Sequence, residues 1–476
     1  MSVAPSLLLV ILLLATLLLS GCQAGAAPDP AESATAIATA MATGTATAAP
    51  TEPPTATPTE PPGATATESP TATPAVTDPA PTAAPDTEVL NYVTAHGGGP
   101  ALVWEQENAA RYEEMHPGVE VTVRGVGLYS NPVPTGFYRF LDDEEQPDVY
   151  SSFIVGRLRS YVAGGTIADI SDLWQENGWH EVFPETMQEA VTIDGRQYFV
   201  PMAQQWNPIW YRTDVFAEVG LAPPQTWDDF LAACDTLHEA GYVPVAVASV
   251  GWTPPMARWF SILNLRLNGP AYHEALMAGQ ECYDDARVRA VFEHLAQLFE
   301  HNCFDAGLTG YREAAQQIFE GEAAMVNLGE WLSESAPEGL PDTLDFFPFP
   351  VLDADVPRGE IVHLYGAYMP AAAAHPEEAR RFLTYLGSAA SQTSNVETLG
   401  RVASHLQVDP ALYNDVYRRG LTFVEEADSI TTLFEFNTHP DVAAAGLRAL
   451  GSFWQNQDME AAIAALEAAR ERAYGP

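Results

Sequence analysis

Alternating and helical patterns of apolar side chains divide much of the chain into short strands and amphipathic helices. Residues 89–94 predict a strand, and residues 105–116 predict a helix with Met115 on its apolar side. A Pro-Gly pair then ends that helix, and residues 119–123 alternate as a second strand. A strand, a helix and a strand in this order predict a parallel sheet with helices packed on its faces.

The same succession of strands and helices continues further along the chain. Residues 147–150 predict a short strand, residues 158–163 a helix, and residues 243–248 an apolar strand. Residues 227–234 predict a helix that begins after Thr226, a residue type that caps helix N-termini well. The body of the protein is therefore expected to belong to the α/β class.

Four cysteines occur, and their spacing matches no zinc-binding pattern. Cys234 shares a helical face with Phe230, so we interpret it as a buried thiol. Cys282 and Cys303 are candidates for a disulfide in an oxidising compartment, a pairing that the sequence leaves open because it depends on backbone geometry. No other spacing of metal-ligating residues stands out, and we predict neither a bound metal ion nor a cofactor.

The start of the chain carries the features of an export signal. Residues 7–19 are continuously apolar, which suits a signal-peptide core but falls short of the roughly 20 residues of a membrane-spanning helix. The Leu-Ser-Gly-Cys tetrapeptide that ends at Cys22 resembles the bacterial lipobox. We therefore expect residues 1–21 to be a signal peptide, and Cys22 to carry a lipid that anchors the protein to the cell membrane on its extracellular or periplasmic side. An uncleaved anchor helix is the alternative.

Ala, Thr and Pro dominate residues 23–87, which contain almost no large apolar side chains. Such a composition cannot bury a core, and proline favours extended polyproline II backbone. We expect residues 22–87 to comprise the lipidated cysteine and a disordered stalk. About 390 residues remain from Glu88 onward. That is more than a single core normally holds, so two lobes are expected.

The formal net charge is −42, and the chain contains no lysine. Binding to nucleic acid or to an anionic lipid surface requires a dense positive face, so the charge argues against both. We interpret the acidic excess as a solvated surface of an exported protein, with an acidic site for a cationic ligand as the alternative. No nucleophile-elbow, zinc-protease or P-loop motif occurs, so no enzyme is expected. Paired carboxylates of a secreted glycosidase are the catalytic alternative.

Five segments resemble, in order along the chain, the sequence motifs of one known family. They are residues 112–121 (YEEMHPGVEV), 194–201 (DGRQYFVP), 210–216 (WYRTDVF), 220–230 (GLAPPQTWDDF) and 319–331 (FEGEAAMVNLGEW). Each motif is weak alone, but five in this order and spacing are specific. The chain is therefore similar to the family 1 extracellular solute-binding proteins, the maltose-binding-protein-like group.

The resemblance implies a two-lobed α/β fold of the periplasmic-binding-protein type, with a hinge of crossing strands and a central ligand cleft. It places the first lobe at residues 88–200 and 361–406, and the second at residues 201–360 and 407–476.

The resemblance also implies a function. The chain would be an extracellular solute-binding lipoprotein of an ABC importer, a monomer that captures a mono- or oligosaccharide and delivers it to permease subunits. Two alternatives stay open. The same fold could bind a polyamine, a glycerol phosphoester or another small polar solute, or the chain could be a stalked surface sensor or adhesin without transport.

Sugars present C–H faces that stack on aromatic rings, and hydroxyl groups that hydrogen-bond to acids and amides. We therefore look for aromatic and polar residues in loops, at the carboxyl ends of strands and where the chain passes the expected cleft. The resemblance places a stacking aromatic of the second lobe at Trp331. The candidate ligand contacts are Ser152, Phe153, Gln205, Trp206, Trp252, Glu330, Trp331, Tyr365, Gly366 and Phe434. Three further indoles, Trp227, Trp259 and Trp454, lie on helical faces and are expected in the core.

Overall fold

The structure is a computed structural model that describes residues 87–127, 146–153, 158–249, 253–304, 309–336 and 339–475. The predicted signal peptide, Cys22, the predicted stalk up to residue 86 and Trp252 lie outside the described residues. Among the helices of the described ranges, none is both long and apolar enough to cross a membrane.

Strands are distributed over the whole of the described part. They are β1 (Glu88–Thr94), β2 (Val119–Gly125), β3 (Val149–Ser152), β4 (Thr192–Ile193), β5 (Arg196–Gln197), β6 (Val200–Trp206), β7 (Ile209–Arg212), β8 (Val243–Ala246), β9 (Ala248–Ser249), β10 (Thr309–Gly310), β11 (Ala323–Asn327), β12 (Leu344–Phe347), β13 (Gly359–Tyr368), β14 (Val402–Ala403) and β15 (Ser429–Thr431).

Helices alternate with these strands. They are α1 (Gly99–Met115), α2 (Leu158–Ala163), α3 (Ser171–Glu176), α4 (Trp179–Val182), α5 (Glu185–Val191), α6 (Thr213–Glu218), α7 (Trp227–Glu239), α8 (Pro255–Met277), α9 (Ala286–Glu300), α10 (Tyr311–Glu320), α11 (Pro376–Leu386), α12 (Ala389–Leu399), α13 (Asp415–Glu425), α14 (Phe434–Asn437), α15 (Pro440–Asn456) and α16 (Met459–Tyr474). Two 3₁₀ helices cover Glu330–Ser335 and Pro410–Leu412.

The first lobe is built on a seven-stranded sheet in the order β14-β6-β13-β3-β1-β2, with β15 beside β13. β1 pairs in parallel with both β2 and β3, which confirms the predicted β-α-β unit. β13 runs antiparallel to β3 and β6, so the sheet is mixed. Helix α11 packs against β6 and β13, and α12 packs against β6.

The second lobe is built on a four-stranded sheet in the order β12-β7-β11-β8. Asn207 and Pro208 carry the chain from β6 of the first sheet to β7 of the second, and the segment between β12 and β13 carries it back. The predicted two-lobed α/β fold with crossing strands is therefore confirmed.

Local sequence signals set several element ends. The Thr226 hydroxyl accepts a hydrogen bond from the Asp229 backbone N–H at 3.2 Å, and the Asp229 carboxylate accepts one from the Thr226 backbone N–H at 3.1 Å. This reciprocal pair satisfies two donors at the start of α7. Asp194 and Gly195 have φ values of 51° and 75°, the left-handed pair that a two-residue turn between β4 and β5 requires.

Two expectations about individual helices are wrong. α1 begins at Gly99 rather than near residue 105. Met115 is 54% exposed, because it is the last residue of α1 and follows the turn that packs against the sheet.

The cysteine predictions are also wrong. Cys234 is buried, but it is not a thiol, and Cys303 does not pair with Cys282. Cys234 and Cys303 form a disulfide with their Cα atoms 4.9 Å apart. The carbonyl of Cys303 accepts from the Val245 N–H of β8 at 2.9 Å. This contact holds Cys303 beside the strand on which α7 packs, and the cysteine spacing alone could not show it.

Candidate functional site

A cavity of about 450 Å³ lies between the two lobes. This volume is within the range of roughly 300–1,000 Å³ that is typical of small-molecule sites. Both lobes contribute to its walls, which are lined by Ala95, His96, Gly97, Gly98, Ala101, Gly127, Phe153, Gln205, Arg258, Tyr311, Trp331, Glu334, His363, Arg401, Leu433, Glu435 and Phe436.

The first-lobe wall forms where strands of the seven-stranded sheet end. Residues 95–98 follow β1, and Phe153 follows β3. Ligands of open α/β sheets bind outside the carboxyl ends of strands in this way. Gln205 of β6 and His363 of β13 are directly opposite in register, so their side chains share one face of the sheet and reach the cavity together.

The second-lobe wall is aromatic. Trp331 belongs to the 3₁₀ helix after β11, and its indole lies over Gly329, where any added Cβ would collide with the ring. Tyr311, the first residue of α10, packs edge-on against Trp331 with ring centroids 5.3 Å apart. Trp331 is half-buried, and its indole N–H makes no hydrogen bond within the described residues. A ring face and a hydrogen-bond donor are therefore both available to a ligand.

Gln205 supplies an amide to the same cavity. The residue is only 7% exposed, yet its side chain makes no hydrogen bond within the part of the chain that the structure describes. Its amide lies on the cavity lining, where a ligand hydroxyl could form hydrogen bonds with it.

The imidazole beside Gln205 is neutral. The Nδ1 atom of His363 lies 2.7 Å from the Thr432 hydroxyl. Burial, with the nearby Arg258 guanidinium, lowers the pKa of His363 to about 3. The Arg258 guanidinium donates to the Asn207 side-chain oxygen. His363 therefore presents an uncharged ring at neutral pH.

Two carboxylates and a second arginine also line the cavity. Glu435 accepts a hydrogen bond from the Thr253 hydroxyl at 2.9 Å. Arg401 donates to Glu334 through Nη2 at 3.1 Å, and its Nη1 lies 2.9 Å from His96 Nε2. The two arginines and two carboxylates of the lining give the cavity a balanced charge.

Among the ten sequence candidates, Phe153, Gln205 and Trp331 line the cavity. Trp206 lies instead in the core, fully buried against Trp210 and Phe346 with ring centroids 5.6 Å and 4.7 Å away. The reason is the alternation of side chains along a strand, because Gln205 faces the cavity and its neighbour must face the opposite side.

A buried layer beneath the first-lobe wall contains Ser152, Tyr365 and Gly366. Tyr365 is fully buried, and its hydroxyl lies 2.6 Å from Ser151 Oγ. Ser152 is fully buried as well and pairs with Gly366 across β3 and β13. A Cβ at position 366 would collide with the Phe199 ring, so this glycine serves close packing.

Phe434 and Glu330 also lie off the cavity wall. Phe434 packs against Phe260 in the core, while its neighbours Leu433 and Phe436 reach the lining. Glu330 is 1% exposed, and burial raises the pKa of its carboxyl well above the ordinary value.

Sequence reasoning missed most of the charged lining. The His-Gly-Gly-Gly run at residues 96–99 directly follows the first predicted strand, and the strand-end rule could have identified it. Arg258, Glu334 and Arg401 carry no such signal, because tertiary packing alone brings these distant segments together. Within the described residues, no group of three or more His, Cys, Asp or Glu side chains is arranged to hold a metal ion.

Comparisons with known proteins agree with this architecture. The chain is 24% identical over 373 residues to an ABC transporter extracellular-binding protein of Pyrococcus horikoshii, covering 74% of this chain and 80% of that protein. It is 23% identical over 364 residues to the xylose/arabinose-binding protein of Haloferax volcanii, covering 74% of this chain and 75% of the relative.

Solved structures show the same fold. The bacterial solute receptor AcbH, described as having an exclusive preference for β-D-galactopyranose, superposes with a TM-score of 0.71 at 21% identity, over 81% of this chain and 98% of its own. A chitin oligosaccharide binding protein gives 0.72 at 19% identity, over 82% of this chain and 99% of its own. The profile of the bacterial extracellular solute-binding proteins matches residues 99–393. With its two-lobed fold and interlobe cavity, the chain belongs to the family of bacterial extracellular solute-binding proteins.

Proposed function

We propose that this protein is the carbohydrate receptor of an ABC importer and holds a mono- or oligosaccharide in the interlobe cavity. The proposal rests on two groups of the cavity lining. One is a half-exposed indole, and the other is an amide that makes no hydrogen bond within the described residues. Trp331 offers a ring face on one wall, and Gln205 offers hydrogen bonds on the other. Stacking on an aromatic face and hydrogen bonding to hydroxyls are the two interactions by which proteins hold sugars.

The charges of the lining favour a neutral ligand. Arg401 is already paired with Glu334, and Arg258 is matched by Glu435 on the same wall. His363 adds no charge at neutral pH because its pKa is lowered to about 3. A polyamine would need an excess of carboxylates, and a phosphoester would need converging arginines. A sugar requires neither.

The names of the relatives support the same ligand class. Relatives include a xylose/arabinose-binding protein and a melibiose/raffinose/stachyose-binding protein of Bacillus subtilis. The family consists of binding proteins rather than enzymes, and we accordingly propose no catalytic step.

The lobe boundaries and the anchor form part of the proposal. We place the first lobe at residues 88–200 and 361–406 and the second at 201–360 and 407–476. The membership of β14 in the first sheet and of β7, β8, β11 and β12 in the second supports this division, whereas β6 and β15 pair within the first sheet. We also propose that the monomeric protein is held on the outer side of the cell membrane by a lipid on Cys22, where it meets its permease subunits. The lipobox-like tetrapeptide supports that part.

A thermal-shift panel tests the ligand class. The purified protein is heated with galactose, xylose, arabinose, melibiose, raffinose or diacetylchitobiose, and in parallel with spermidine or glycerophosphocholine. A ligand at 100 times its Kd adds about 2.7 kcal/mol to the stability of the folded protein and so raises Tm by a few degrees. We expect one or more sugars to do this and the charged solutes to have no effect. Stabilisation by spermidine or the phosphoester alone would overturn the proposal.

A further inference from the structure

The ion pair between Arg401 and Glu334 joins the two lobes across the cavity, in addition to the exposed pair of Arg159 of α2 with Glu274 of α8 at 3.1 Å. Arg401 immediately precedes β14 of the first sheet, whereas Glu334 lies in the 3₁₀ helix that follows β11 of the second. The Nε and Nη2 atoms of Arg401 lie 3.3 Å and 3.1 Å from Glu334 Oε1. The Arg401 side chain is 7% exposed, and that of Glu334 is 46% exposed. The pair therefore bridges the lobes from a buried anchor to a more exposed partner at the cavity mouth.

His96 fixes the buried end of this bridge. Its Nε2 atom lies 2.9 Å from Arg401 Nη1, and its Nδ1 atom lies 3.0 Å from Glu105 Oε1. An arginine nitrogen can only donate, so Nε2 must accept and the proton must sit on Nδ1, where it is donated to Glu105. The arrangement therefore requires a neutral imidazole.

The groups around His96 enforce this state. Glu105 of α1 is fully buried and accepts hydrogen bonds from Tyr92 and Tyr365. Burial raises the pKa of Glu105, but hydrogen bonds from His96 and the two tyrosines outweigh it and leave the pKa below its ordinary value. The Tyr365 ring lies against the imidazole with centroids 4.3 Å apart, and Phe153 meets it edge-on at 6.4 Å. Glu105, Arg401 and Glu334 are thus the charged groups that act on His96.

We propose that Arg401 is a proton-sensitive latch that holds the two lobes together through Glu334 and is released when His96 takes up a proton. Protonation of Nε2 places an N–H against the Arg401 N–H and turns a hydrogen bond into a repulsion between two cations. Arg401 then loses its buried anchor, while His96 keeps its hydrogen bond to Glu105. The tie through Glu334 is then lost, while the Arg159–Glu274 pair and the crossing strands still join the lobes.

The direction of the pH effect follows from the same contacts. Burial and the Arg401 charge lower the pKa of His96 from 6.5, outweighing the carboxylates that raise it. When Arg401 moves away, one of these lowering causes is removed and the pKa of His96 rises. The unlatched form therefore binds the proton more tightly. The latch is intact where His96 is neutral and is lost as the pH falls through the lowered pKa of this imidazole.

Release would change the cavity itself. Arg401, Glu334 and His96 all lie on its lining, and Glu334 shares a 3₁₀ helix with Trp331. Separation of the pair would allow this helix, and the indole on it, to move away from the first-lobe wall. Arg401 is in this sense a positioning residue for the cavity.

Distance measurements between the lobes test the latch without any ligand, so the result does not depend on the proposed function. In the full chain, Glu120 and Glu239 are each replaced by an unnatural amino acid with a ketone group, and a spin label is attached to that ketone. Both positions are exposed, one in β2 and the other at the end of α7. Double electron–electron resonance then gives the interlobe distance at pH 7.5 and pH 5.0. The ratio of long to short distances should be higher at pH 5.0 than at pH 7.5, because the unlatched form binds the proton more tightly.

Three variants identify the groups responsible. His96→Gln removes the titrating group and should abolish the pH response. Arg401→Gln should give the longer distances at both pH values. Arg196→Gln breaks an exposed ion pair with Asp169 within the first lobe, at 3.0 Å, and should respond as the unmodified chain does. Far-UV circular dichroism checks that each variant is folded.

Two outcomes would overturn the latch. The first is a wild-type distance distribution that is identical at pH 7.5 and pH 5.0. The second is a response that persists undiminished in His96→Gln, since another group would then be titrating. If Arg401→Gln fails to fold, the comparison of wild type with His96→Gln still distinguishes a latch controlled by His96 from its absence.

Discussion

Replacement of Trp331 by alanine is the sharpest test of the cavity as a sugar site. The indole forms one wall, is half-buried, and packs edge-on against Tyr311 at 5.3 Å. Loss of a ring that stacks on a ligand costs on the order of 2–4 kcal/mol of binding free energy at a hot spot. That corresponds to a roughly 30–1,000-fold higher Kd, at about 1.4 kcal/mol per factor of ten.

The same substitution should cost much less in folding stability. A fully buried Trp→Ala change costs about 3–5 kcal/mol. Trp331 keeps part of its surface in the cavity, so we expect a loss of only about 1–2 kcal/mol. The two effects are measured on the same variant, by calorimetric titration with the sugar that gives the largest thermal shift and by urea unfolding.

Trp454 provides a matched control. It is also half-buried, but it packs on Phe299 and Phe304 at 5.2 Å and 5.3 Å, away from the cavity lining. Trp454→Ala should lose a similar amount of stability and keep its affinity. If Trp331→Ala retains wild-type affinity while its unfolding midpoint falls as far as that of a core variant, the stacking role is refuted.

Three further predictions address the start of the chain and the disulfide between Cys234 and Cys303. Cys22→Ser should release the protein into the soluble fraction of fractionated cells, and continued sedimentation with membranes would contradict the lipid anchor. A chain that begins at Glu88 should bind its sugar with unchanged Kd, because the composition of residues 23–87 offers almost no large apolar side chains. A tenfold loss of affinity in titration would show that residues 23–87 take part in binding. Replacing Cys234 and Cys303 together by alanine should lower the free energy of unfolding by about 4 kcal/mol, since the disulfide closes a 69-residue separation. The midpoint of urea unfolding measures this loss, and a variant midpoint equal to that of the oxidised wild type would contradict the prediction.

The sequence by itself determined the elements and their class. Apolar periodicity located β1, β2 and α2, because side-chain direction repeats every two residues in a strand and about every 3.6 in a helix. Thr226 and the Asp194-Gly195 pair marked a helix start and a hairpin turn, since capping and left-handed turns depend on residues close in sequence. Motif order then indicated the two-lobed fold. Trp227 and Trp259 are in the core as predicted, 5% and 3% exposed.

Only the tertiary structure decided which side chains reach the cavity. In the sequence, the polar Gln205 and the aromatic Trp206 are neighbours and equally good candidates for ligand contacts. Because side chains alternate along β6, Gln205 faces the cavity and Trp206 faces the core. Arg401 and Glu334 lie 67 residues apart and meet only because the two lobes face each other. The disulfide between Cys234 and Cys303 likewise depends on how α7 packs beside β8. Local pattern fixes the direction of a side chain within its own element, but contacts between distant elements are set by how those elements pack.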